Sequence, residues 1–159
     1  MDRKPLVLPP LSFSTVGMWF IIPEGIREEI EDERLDFAGG LHAVEHAMIA
    51  MSPMFAMCDR WDIGGLSTTL HPDTGKSTIF IYDGFEGGIG ISEALYAKIE
   101  ELWKKTLQLI ENCECEEGCP SCIYSPKCGN ENKPLDKEGA TIILRRIIES
   151  ASQRTSAVG

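Results

Sequence analysis

Basic residues are scarce in this chain: fifteen Lys and Arg stand against twenty-five Asp and Glu, a net charge of -10 at pH 7. Binding to a phosphate backbone draws its strength from basic side chains that displace counterions, so this balance excludes a strong stand-alone nucleic-acid binder. The deficit is uneven, because residues 127–159 hold six basic and four acidic side chains and residues 1–126 carry -12. Long apolar runs are missing too, and no stretch approaches the ~20 residues of a membrane span. No N-terminal segment joins a basic start, an apolar middle and a small-residue cleavage site, so the expectation is a cytoplasmic protein with no membrane contact. Internal repeats, low-complexity tracts and long linkers are absent as well. The 159 residues, 43% of them hydrophobic, are therefore expected to fold as one domain with a real core.

What is there reads as a mixture of helices and a few strands. A strand is expected over Thr15 to Ile22, between a proline pair and Pro-Glu-Gly. "IREEIEDERLDF" (26–37) keeps a helical apolar spacing on an acidic face, and a more strongly apolar helix starts near Leu41 and is perturbed at Pro53. Being apolar on most sides, that second helix is expected to be central. "LSTTLHPDTGKSTIFIYDG" reads as a hairpin with strands near 66–71 and 77–82. A glycine loop then precedes the longest helix, about 91–111, and an amphipathic helix over 135–151 closes the pattern. The expected class is α+β, with a small, mostly antiparallel sheet and several helices.

Between those last two helices lies "CECEEGCPSCIYSPKC" (113–128), which holds five of the six cysteines. In a reducing compartment such a cluster points to metal rather than to disulfides. Cys119 and Cys122 form a C-x2-C, the spacing that lets two sulfurs reach one tetrahedral zinc without strain. Cys115 upstream and Cys128 downstream are within reach of the same ion. Cys113 competes with Cys115 for the first position, and its place against the predicted helix end favours Cys115. Disulfides between cysteines this close would make strained small loops. An iron–sulfur cluster is the other thiolate option, and a thioredoxin-like role lacks the strand-to-helix setting. The expectation is one structural zinc. A four-thiolate site leaves no position for water or substrate, so it argues against catalysis at the metal.

Three other stretches invite functional readings. "HAVEH" (42–46) matches H-x-x-E-H, in which His42 and His46 would bind a metal and Glu45 would activate water. That metal-dependent hydrolase is the alternative function. The simpler reading of so apolar a helix is buried histidines hydrogen-bonded to neighbours. "TGKST" (74–78) resembles the end of a Walker loop, but Leu70 stands where the first glycine belongs. "DGFEGGIG" (83–90) could cradle a phosphate before a helix, yet Asp83 and Glu86 put negative charge at its mouth, which favours a tight connection instead.

Taken together, "GGLHAVEHAM", "CDRWDIGGLSTTLHPDTG", "FIYDGFEGGIGISE" and "CECEEGCPSCIYSPKCGNENKPLDKEGA" resemble the MrfA-type zinc-binding domain. That domain is found at the C-terminal end of DEAD/DEAH-box superfamily 2 DNA helicases, relatives of RecQ-like enzymes. The resemblance covers about residues 8–144, the expected domain core. It implies zinc ligands at Cys115, Cys119, Cys122 and Cys128, with Cys113 the alternative first ligand, and it carries no catalytic residue. It also implies an accessory role: packing on helicase motor domains, in cis or as a separate chain, and help with single-stranded DNA during DNA repair. Lys127 and Lys133, which flank the knuckle, are the candidate nucleic-acid contacts.

Overall fold

The structure, a computed structural model, describes residues 15–126, 128 and 131–158, the last seven by their backbone only. Three strands form one antiparallel sheet in the order β1-β3-β2: β1 Gly17–Ile21, β2 Ile63–Thr68 and β3 Thr78–Asp83. The central strand is β3, sequence TIFIYD, a β-branched and aromatic run suited to burial on both faces. Its Ile79 and Ile81 are buried in the main core; Phe20 pairs with Ile79 and Met18 with Ile81 across β1. The alternation sends Trp19 and Phe80 to the other face, where their rings lie 6.2 Å apart.

The described residues also form five α-helices, α1 Glu24–Asp32, α2 Phe37–Met51, α3 Ile91–Ala97, α4 Ile99–Asn112 and α5 Lys137–Val158, of which α2 and α3 make the main packing on the sheet. As its all-round apolarity foretold, α2 is buried from Gly39 through Ile49 and touches β2, β3, α4 and α5. Leu41, Val44 and Met48 are each at most 1% exposed, and burial of such a side chain contributes about 1.5–3 kcal/mol. Gly40 permits the close crossing with α5, because a Cβ there would stand 3.1 Å from the Gly139 carbonyl carbon and from Ile143 Cδ1. Asp136 holds both helix starts, accepting from the N–H of Asp36 at 2.7 Å and from that of Gly139 at 2.9 Å.

The α+β expectation holds, and the boundaries differ in four places. The first helix stops at Asp32, where the chain turns through Arg34 at φ 61°. The N–H of Leu35 reaches the Ile30 carbonyl and that of Arg34 reaches Glu31, a left-handed helix end that usually announces itself with glycine. The second helix begins at Phe37 rather than Leu41, since Gly39 and Gly40 serve the crossing and not a start. The expected 91–111 helix is two, broken at Lys98 (φ -122°, ψ 30°), so that α3 packs on β1 and β3 while α4 packs on α2 and α5. The hairpin is present, displaced to 63–68 and 78–83.

Candidate metal centre

Helix α4 is capped by Cys113, whose backbone is extended (φ -79°, ψ 127°) and turns the chain into the loop that carries the other clustered cysteines. Gly118 sits at φ 126°, and a Cβ there would meet Ile123 Cδ1 at 2.6 Å, so only glycine suits both its backbone and its space. The N–H groups of Cys122 and Tyr124 both donate to the Cys119 carbonyl, at 3.0 and 3.1 Å. This turn points the Cys119 and Cys122 sulfurs inward, while the buried Cys122 and Ile123 anchor the loop in the core.

The result is a cluster of four sulfurs from Cys113, Cys115, Cys119 and Cys122. Sγ–Sγ separations are 3.4 Å for Cys113–Cys119, 3.5 Å for Cys113–Cys115 and Cys115–Cys122, and 3.9 Å for Cys119–Cys122. A disulfide would need about 2.05 Å, and no cysteine of the chain forms one. Four thiolates around zinc, each ~2.3 Å from the ion, stand about 3.8 Å apart, so the donor set fits zinc.

Charge at the cluster is handled by a residue that the spacing of cysteines does not reveal. Lys137, the first residue of α5, donates to the carbonyls of Cys113 (2.9 Å) and Cys115 (2.6 Å) and to Cys115 Sγ (3.1 Å). Burial opposes ionisation of the Cys115 thiol, but hydrogen bonds from Lys137 and from the Cys122, Cys113 and Cys119 thiols together outweigh it and draw the pKa down to about 6. Cys122, the most buried, is pushed up to about 12, chiefly by burial. A lysine here also offsets part of the double negative charge that four thiolates leave around a divalent ion.

The fold divides the expected ligand set. Cys115, Cys119 and Cys122 come together, and the fourth corner is Cys113, which the helix end fixes rather than displaces. Cys128 lies elsewhere, because the segment after Ile123 runs back over α2: its Sγ is 3.5 Å from His42 Nε2, and it groups with His42 and His46. Both histidines are buried and hydrogen-bonded to backbone carbonyls, His42 Nδ1 to Pro134 at 2.8 Å and His46 Nδ1 to Ile123 at 2.7 Å. Burial above all, helped by the neighbouring His42, lowers the His46 pKa to about 4 and keeps it neutral.

Of the candidate DNA contacts, Lys127 lies outside the described residues. Lys133 is exposed in a groove that it shares with Glu116, Glu117, Glu131, Asp136 and Glu138. Among the described side chains, the tail's other basic groups are engaged within the fold: Lys137 at the thiolates, Arg145 with Glu111, and Arg146 with Glu29 at 2.6 Å. The 83–90 loop offers no phosphate cradle either. The Asp83 carboxylate already takes the N–H groups of Ile89, Gly90, Ile91 and Ser92, at 2.7 to 3.3 Å, and the Ser92 hydroxyl at 2.6 Å. "TGKST" falls in the β2–β3 connection.

The family model of the MrfA Zn-binding domain matches residues 44–123. The chain belongs to this family. It is 46% identical over 113 residues to the uncharacterized protein MJ1572.1 of Methanocaldococcus jannaschii, covering 68% of this chain and 99% of that protein. It is 34% identical to the ATP-dependent helicase YprA of Bacillus subtilis, over 75% of this chain and 16% of the helicase. With the ATP-dependent helicase HRQ1 of Saccharomyces cerevisiae it shares 25% identity, over 88% of this chain and 14% of the helicase. Among solved structures it resembles the DUF1998 helicase MrfA bound to DNA, with a TM-score of 0.65 and 28% identity, covering 92% of this chain and 19% of that one. The chain thus spans the length of its archaeal relative and about a sixth of the helicases. It is a zinc-binding domain of the kind carried by MrfA-type helicases, and its four clustered cysteines suit one zinc ion. Among the described residues, no helix is long and apolar enough to cross a membrane.

Proposed function

We propose that this chain is a zinc-stiffened accessory domain, folded as one unit, that packs on the motor domains of a DEAD/DEAH-box DNA helicase. In that role it assists the handling of single-stranded DNA during repair in the cytoplasm and performs no catalysis itself. The observation that carries this reading is the four-thiolate cluster: Cys113, Cys115, Cys119 and Cys122 would hold zinc with every position filled, a site that braces structure and cannot activate water. The ion would cross-link the end of α4 to the cysteine loop, and Lys137 ties that loop to the start of α5. Exposed Trp19 and Ile21 on the edge strand β1 provide apolar area for docking. Cross-linking mass spectrometry on cells carrying a tagged copy tests the proposal. Cross-links should join this chain to helicase motor domains, whether in one polypeptide or two. Cross-links confined to proteins without helicase motors would overturn it.

The charge distribution makes a separate expectation. With a net charge of -10 and Lys133 set among carboxylates, the isolated chain should bind single-stranded DNA weakly or not at all at physiological salt. Anisotropy titrations with a fluorescent oligonucleotide should show any low-salt binding falling steeply as salt rises, and falling further in Lys127→Glu/Lys133→Glu. Tight binding indifferent to salt and to these lysines would place the contact surface elsewhere.

A further inference from the structure

The residues left over from the zinc cluster are themselves a donor set. His42 and His46 sit one turn apart on α2, with ring centroids 4.1 Å apart. Their Nδ1 atoms face the carbonyls of Pro134 and Ile123. A carbonyl only accepts, so each Nδ1 carries the ring proton and each Nε2 keeps its lone pair. This is the arrangement by which proteins orient histidines toward a metal: the far nitrogen is tied to an acceptor and the near one is aimed at the ion. Cys128 supplies the third donor, its sulfur 3.5 Å from His42 Nε2. Nitrogen and sulfur ligands of one tetrahedral zinc, at ~2.05 and ~2.3 Å from it, stand about 3.6 Å apart. All three donor atoms lie within 4.8 Å of one another.

We propose that His42, His46 and Cys128 hold a second divalent ion of the zinc class, separate from the four-thiolate centre. An S–H···N hydrogen bond from Cys128 would account for His42 alone. The convergence of His46 on the same point, with its ring held by a second carbonyl, is what a three-donor site adds. Ser125 and Asn132, on either side of Cys128, are tied together: Asn132 accepts from the Ser125 N–H at 2.7 Å and donates to the Ser125 carbonyl at 3.1 Å. The site opens on a cavity of about 480 Å³ lined also by Glu45, Gly65 and Tyr82, which leaves room for a fourth ligand. An ion here would pin the knuckle-to-α5 segment onto the central helix. It would also present an exchangeable water, which the closed four-thiolate centre does not.

Metal stoichiometry tests this. The chain, stripped and refilled by titration with Co2+, should take two ions. One would show the intense thiolate-to-metal charge transfer of four sulfurs, the other a weaker band from one. Cys128→Ser and His46→Ala should each take one ion and keep the four-thiolate spectrum, which also certifies that they fold. Should a variant unfold instead, the wild-type titration still decides. Saturation at one ion per chain overturns the proposal, as do two ions retained in both variants.

Discussion

Cys122→Ser should release the zinc and unfold much of the chain. Cys122 is 1% exposed, sits at one corner of the sulfur cluster and belongs to the main core. A structural zinc contributes its binding free energy to folding, apparently on the order of 10 kcal/mol in small metal-stabilised domains, so losing one buried ligand should exceed most single core substitutions. Circular dichroism and metal analysis of the purified variant would show a poorly structured protein without that ion. Cys58→Ser is the matched control. Cys58 precedes β2, belongs to neither donor group, and packs half-buried at the margin of the core. Its replacement should leave the metal content unchanged and the fold intact.

The second large effect belongs to Asp83, at the end of the central strand. The side chain is fully buried, and four backbone N–H groups and one hydroxyl close on its two oxygens. Asp83→Ala leaves those donors without their acceptor beneath α3, which should cost about 3–5 kcal/mol and appear as a large drop in the urea midpoint. A loss below 1 kcal/mol would mean that water replaces the carboxylate without penalty. The pH dependence has a definite sign. Burial by itself would raise the Asp83 pKa, but the hydrogen bonds from Ser92, Ile89 and Ile91 outweigh it and the net shift is downward. A carboxylate with a depressed folded-state pKa adds stability that is fully present above its unfolded value, near 3.9. That stability is lost as pH falls through the lower folded value. Asp83→Ala should therefore flatten stability against pH in the acid range below about 4.

Features written into local spacing were legible before the fold was seen. The buried central helix followed from the apolar residues around "LHAVEHAMIAM", and the hairpin from two strand-like runs around Pro-Asp-Thr-Gly. Three corners of the cysteine cluster followed from C-x2-C and the upstream Cys115, but the expected downstream ligand Cys128 is not among the four. What escaped depends on contacts across the chain. Arg34 takes a left-handed conformation with no glycine to mark the helix end. No glycine or proline marks the break at Lys98, which arises because α3 and α4 pack on different elements. The ligand set is of the same kind. Spacing made Cys113 and Cys115 rivals for the first position and gave Cys128 the last, but the fold uses both rivals and draws Cys128 away to histidines some 86 residues earlier. Lys137 was visible only as one charge in a basic tail; its place under the thiolates follows from where α5 begins.

Cys113, Cys115, Cys119 and Cys122 are proposed to share one ion. Alkylation of the metal-loaded chain, read cysteine by cysteine by mass spectrometry, tests it most directly, because a metal-bound thiolate is shielded until the metal leaves. These four should resist modification together and become reactive together when a chelator removes the zinc. Rapid modification of Cys113 while the zinc stays bound would contradict a shared ion.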